Sequence, residues 1–118
     1  MKILIADDDV MVTVMLSDHL SEMGHETICV HDGQALVEKA ISEKPDLIIS
    51  DIRMPGTDGV AAQGMFDMYP PLQGIPIVFI TGVPREIVYS LGIPGNIPLL
   101  GKPFTLEELD LIVKKAEK

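Results

Sequence analysis

The chain has 118 residues, 47% of them hydrophobic, a single cysteine, and 18 acidic against 9 basic side chains, for a formal net charge of −9. That length suits one domain, 1–118, burying roughly two-thirds of its unfolded surface, and no run approaches the ~20 apolar residues that span a membrane. The charge argues against direct nucleic-acid binding by this domain, because phosphate repels a surface without a basic patch. Four of the bases, Lys102, Lys114, Lys115 and Lys118, sit near the carboxyl end, so the remainder is more acidic still and suits a cation or a basic partner.

Met1-Lys2 leads straight into "KILIA" (2–6), an apolar run of strand length rather than a signal peptide, followed by three aspartates. From 10 to 23, Val12, Leu16, Leu20 and Met23 recur at helical spacing, and Gly24 closes the segment as a C-cap. "TICV" (27–30) is a second strand, and its Cys29 reads as a buried core thiol in a reducing, cytoplasmic setting. A helix over 32–43 opens on Asp32; "DLIIS" (46–50) is a third strand entered by Pro45. A third helix is expected over 58–69, weakened by Gly64. "IPIVFI" (75–80) is a fourth strand whose Pro76 must lie near its start or at an edge. A short helix over 84–91 starts with Pro at its first position, "IPLLG" (97–101) is a fifth strand, and 105–118 is a final helix with a Thr105–Glu108 capping box. Five β-α units in alternation predict an α/β fold: a doubly wound, five-stranded parallel sheet covered by helices on both faces.

In such a sheet, ligands bind beyond the carboxyl ends of the strands. Strand 1 ends in Asp7-Asp8-Asp9, strand 3 in Ser50-Asp51, strand 4 in Thr81-Gly82 and strand 5 in Gly101-Lys102-Pro103. Asp7, Asp8, Asp51, Thr81 and Lys102 should therefore share one rim. Three close carboxylates repel one another unless a cation intervenes. All-oxygen ligands favour a hard ion, Mg²⁺ or in its place Mn²⁺. A metal and Lys102 would make the rim a place for phosphate oxygens, with Thr81 as a hydrogen-bond donor and Asp51 as a nucleophile able to form an aspartyl-phosphate. Singly, each residue reads as a cap, a solvated strand end or a surface ion pair, as Asp9 and Asp58 do. Four strands delivering compatible groups to one edge favour the functional reading. His19, His25 and His31 lack ligand spacing and read as surface or structural. Met11, Met15, Met65 and Met68 read as packing.

"ILIADDD", "PDLIISDIRMPGTDG", "IPIVFITG" and "GKPF" resemble the response-regulator receiver domain of two-component signalling, of the chemotaxis-regulator kind, over essentially the whole chain. The resemblance implies a flavodoxin-like (βα)₅ sheet in order 2-1-3-4-5. It implies that Asp51 accepts a phosphoryl group from a histidine kinase or phosphotransfer protein. It implies Mg²⁺ bound by Asp8, Asp51 and the backbone carbonyl of Arg53, with Asp7 acting mostly through water. Thr81 and Lys102 would hold the phosphoryl oxygens, and Lys102-Pro103 would be cis. Arg53 and Val83 occupy positions that tune phosphoryl lifetime in that family. The surface of the helix at 84–91, the fifth strand and the final helix would then act on a downstream protein or a missing output domain. Two departures stand out. Leu99 occupies the switch position where relatives carry Tyr or Phe, and "LGIPGNIPLL" (91–100) breaks up the expected output surface.

The resemblance implies a phosphoacceptor rather than a turnover enzyme. A phosphatase with an aspartyl nucleophile would need a second acid at 53, where Arg53 stands. A flavin carrier would not place "DDD" against a phosphate, and the P-loop G-x-x-x-x-G-K is absent. A receiver fold that binds partners without phosphorylation stays open because of Leu99.

Overall fold

The computed structural model describes residues 1–52, 74–82, 84–90 and 97–117. The helix expected over 58–69, with Asp58, Met65 and Met68, lies outside them. The chain lays down β1 (Lys2–Ala6), α1 (Val10–Glu22), β2 (Glu26–Val30), α2 (Gly33–Glu43), β3 (Leu47–Asp51), β4 (Ile77–Thr81), α3 (Arg85–Ser90), β5 (Leu99–Gly101) and α4 (Leu106–Ala116). The strands form a five-stranded sheet in the order β2-β1-β3-β4-β5, and every pairing is parallel. This is the expected doubly wound order.

Alternation along each strand decides which helices it meets. Ile3, Ile5, Leu47, Ile49, Val78, Ile80 and Leu100 face Leu16 and Leu20 of α1 and Leu109 and Val113 of α4. Leu4, Ala6, Ile48, Ile77 and Phe79 face Leu36 and Ala40 of α2 and Val88 of α3. Both faces are buried, which is why these strands read as unbroken aliphatic runs.

Helix starts follow local chemistry. Asp9 caps α1 by accepting from the Met11 amide at 3.0 Å, and Asp32 caps α2 through the Ala35 amide at 2.7 Å. Thr105 and Glu108 form the complete reciprocal capping box of α4. Pro84 departs by one residue from its expected place inside a helix: α3 begins at Arg85, and the Pro84 carbonyl accepts from the Val88 amide at 3.1 Å. Gly24, at φ +93, takes the left-handed turn after α1.

Two expectations about side chains change. Met11 is 75% exposed and Met15 is exposed too, with Val10 and Val14 beside them. Thr13 is buried instead, and its Oγ1 donates to the Val10 carbonyl at 2.8 Å. Cys29 is half-buried rather than sealed in the core, and burial is the main reason its thiol pKa is raised. A raised pKa keeps the thiolate scarce, so Cys29 remains a packing residue.

The histidines join elements. His19 Nε2 meets Asp110 Oδ1 of α4 at 2.7 Å. His31 Nε2 lies 3.2 Å from Thr13 Oγ1. At the amino-terminal foot of the sheet, His25 Nδ1 lies 2.9 Å from the Met1 nitrogen, and its Nε2 lies 3.2 Å from Glu117 Oε1. Among the described residues, no helix is long and apolar enough to cross a membrane.

Candidate phosphoacceptor and metal site

Beyond Ala6, the Asp7 amide donates to the Val30 carbonyl at 3.2 Å, which carries the β1–β2 pairing one residue past the strand. This holds Asp7 beneath the rim at 0% exposure, while Asp8, next in the chain, is exposed. Asp7 Oδ1 accepts from the Asp9 amide at 2.9 Å, so one aspartate orients the turn that the next helix starts from. Asp51 is the last residue of β3, paired with Ile80 of β4, and is half-buried. Thr81 ends β4 at 4% exposure. Lys102 follows β5; its peptide bond to Pro103 is cis, and its amide donates to the Thr81 carbonyl at 2.7 Å.

The five rim residues expected from the sequence therefore stand at the carboxyl ends of β1, β3, β4 and β5. The Lys102 ammonium donates to Asp7 Oδ2 at 2.8 Å and to Asp51 Oδ2 at 3.1 Å. The sequence supplies these charges but not their arrangement: Lys102 clasps two carboxylates at once. Burial pulls the Lys102 pKa down. The hydrogen bonds to Asp7 and Asp51, and the charges behind them, outweigh burial and leave it raised overall.

Asp7, Asp8 and Asp51 each offer a carboxylate oxygen, and these atoms lie within 4.8 Å of one another. Among the described residues, the Lys102 ammonium is paired with Asp7 and Asp51 of these three acids. An all-oxygen, acidic donor set with an exposed member fits a hard divalent cation that keeps part of its water. Arg53 and Val83 lie outside the described residues. Leu99 opens β5 opposite Phe79 and packs, half-buried, against the core shared with α2 and α3. Sequence reasoning passed over Ser50. Its one signal was a hydroxyl inside an aliphatic run; it is fully buried, and its Oγ donates to the Asp51 carbonyl at 2.8 Å.

A family model described as the response regulator receiver domain matches residues 3–114. The alkaline phosphatase synthesis transcriptional regulatory protein PhoP of Bacillus subtilis (strain 168) is 32% identical over 114 residues, which cover 96% of this chain and 47% of that protein. The chain spans about half or less of the length of the curated relatives it matches. The structure of the chemotaxis response regulator CheY4 of Vibrio cholerae is similar at a TM-score of 0.88 and 28% identity, covering 98% of this chain and 97% of that one. The receiver domain of sensor histidine kinase PA1611 from Pseudomonas aeruginosa PAO1 is similar at 0.86 and 26% identity, over 97% of this chain and 94% of that one. That neighbour was solved with a magnesium ion coordinated in its active site cleft.

Proposed function

Because this chain belongs to the response regulator receiver domain family, we propose that it is a signalling domain switched by phosphorylation of Asp51. The observation that carries the reading is the Lys102 clasp on Asp7 and Asp51 beside a third acid, Asp8. An Asp51 carboxylate oxygen attacks the phosphorus of a phosphohistidine on a histidine kinase or phosphotransfer protein. The new O–P bond forms as the N–P bond breaks, and the electron pair returns to the leaving imidazole. Lys102 neutralises charge on the transferred oxygens, and Thr81 donates a hydrogen bond to one of them. Asp7, Asp8, Asp51 and the Arg53 carbonyl would hold Mg²⁺, or Mn²⁺ in its place; when bound, the ion offsets the negative charge that gathers as two anions meet. Nothing in this scheme requires repeated turnover, so the domain acts as a phosphoacceptor and not as an enzyme.

The test is incubation with Mg²⁺ and a small acyl-phosphate donor, followed by intact mass. Wild type should gain one phosphoryl group, and Asp51→Asn should gain none. No gain in wild type with any donor would leave a receiver fold that works through its surface alone.

The proposed output follows from the bond between the Lys102 amide and the Thr81 carbonyl. A phosphoryl group that draws on Thr81 pulls the end of β4 and the start of the Lys102 loop together. That favours a second arrangement of the face formed by α3, β5 and α4, which a downstream protein or a joined output domain would read. Leu99, as an aliphatic residue, would accompany this shift without the ring rotation expected of an aromatic. Arg53 and Val83 would set how long the phosphoryl group lasts by limiting water access. Arg53→Ala and Val83→Ala should each change the decay rate of the phosphorylated state several-fold, and unchanged decay in both removes them from this role.

A further inference from the structure

β3 runs Leu47, Ile48, Ile49 and then Ser50, a hydroxyl at 0% exposure. Its partners across the sheet are Ala6 and Phe79, both apolar. Burying a hydroxyl among such neighbours is unfavourable unless it is hydrogen-bonded. Its bond goes to the carbonyl of Asp51, at 2.8 Å. Strand alternation puts the Ser50 side chain on the face of Ile48, toward α2 and α3, and Asp51 on the opposite face with Ile49. The hydroxyl therefore reaches the Asp51–Ile52 peptide from the side away from the carboxylate. This peptide lies at the end of β3.

We propose that Ser50 is a positioning residue for phosphoryl transfer: its hydroxyl fixes the peptide plane after Asp51, and so the direction in which the carboxylate leaves the strand toward Lys102. This rests on the reading of Asp51 as phosphoacceptor. The lever is short. The Asp51 carboxylate meets Lys102 at 3.1 Å, and a displacement of order 1 Å at a reacting group can cost roughly 10²-fold in rate. Ser50 touches neither donor nor phosphoryl oxygens; it acts through Asp51.

Ser50→Ala removes only the oxygen and should slow phosphoryl uptake about three- to tenfold, an effect of a tilt smaller than 1 Å. Ser50→Thr keeps the hydroxyl and should restore at least half of the wild-type rate. The direct signature is spectroscopic: the Asp51 carbonyl ¹³C and Ile52 amide ¹⁵N shifts should move in Ser50→Ala and return in Ser50→Thr, both read without phosphorylation. Should Ser50→Ala fail to fold, Ser50→Cys, with its weak donor, takes its place in the same comparison. A Ser50→Ala rate within 1.5-fold of wild type overturns the proposal, as does slowing with unmoved Asp51 and Ile52 shifts. Either result leaves Asp51 as phosphoacceptor. Wild type that takes up no phosphoryl group overturns the Asp51 reading, and this one with it.

Discussion

Replacing Lys102 with Met should slow phosphoryl uptake by about 10²-fold or more, the usual cost of removing one preorganised donor from a site of developing charge. Methionine keeps much of the length and packing of the stem and removes the ammonium that bonds Asp7 Oδ2 and Asp51 Oδ2. The chain has no tryptophan, so uptake is best followed by intact mass against time. A rate within threefold of wild type would remove Lys102 from the chemistry.

The same substitution should lower the stability of the metal-free protein by about 1–3 kcal/mol, because Asp7 is left fully buried without its cation. Urea unfolding in chelator, at unchanged slope, reads this term. The pH dependence has a definite sign. The pKa of Lys102 is raised in the fold: burial lowers it, and the bonds to Asp7 and Asp51 more than reverse that. The clasp therefore contributes fully below the ordinary lysine pKa, and its contribution is lost as pH rises through the raised value. The stability gap between wild type and Lys102→Met should be constant through neutral pH and narrow only in strong alkali.

Magnesium should stabilise the fold, and Asp8→Asn should remove most of that effect. Carboxylate oxygens of Asp7, Asp8 and Asp51 lie within 4.8 Å of one another, a donor set that suits a divalent cation. An ion bound only by the folded state adds about 2.7 kcal/mol at a hundred times its Kd. Asp8 is exposed and outside the core, so its amide variant should melt like wild type in chelator and fail to respond to Mg²⁺ or Mn²⁺. Melts at matched ionic strength separate binding from screening. Equal Tm with and without the ion in wild type would rule out a metal site here.

The parts legible in the sequence are those fixed by near neighbours. The Thr105–Glu108 box and the Asp9 cap need only a few residues, and both stand as expected. Aliphatic runs marked β1, β3 and β4 because both faces of the sheet are covered there. Strand ends were less legible, since pairing across the sheet sets them. The third strand was expected over 46–50, yet Asp46 turns its carboxylate to the Lys2 amide at the foot while Asp51 joins the ladder opposite Ile80. Helix facing was legible only where one side is polar. Helix α1 carries apolar residues all round, so periodicity could not tell that Thr13 turns inward and Met11 and Met15 turn out. At the site, the types of groups could be read directly. The bridging of Asp7 and Asp51 by one ammonium could not, because residues 7, 51 and 102 meet only through the fold.

The imidazole of His25 links Met1 to Glu117 at the foot of the sheet, while Asp51 and Lys102 lie at the opposite, carboxyl-terminal rim. A dye or tether attached at residue 1 or 117 would thus sit about a strand length from the chemistry, leaving the reactive edge untouched.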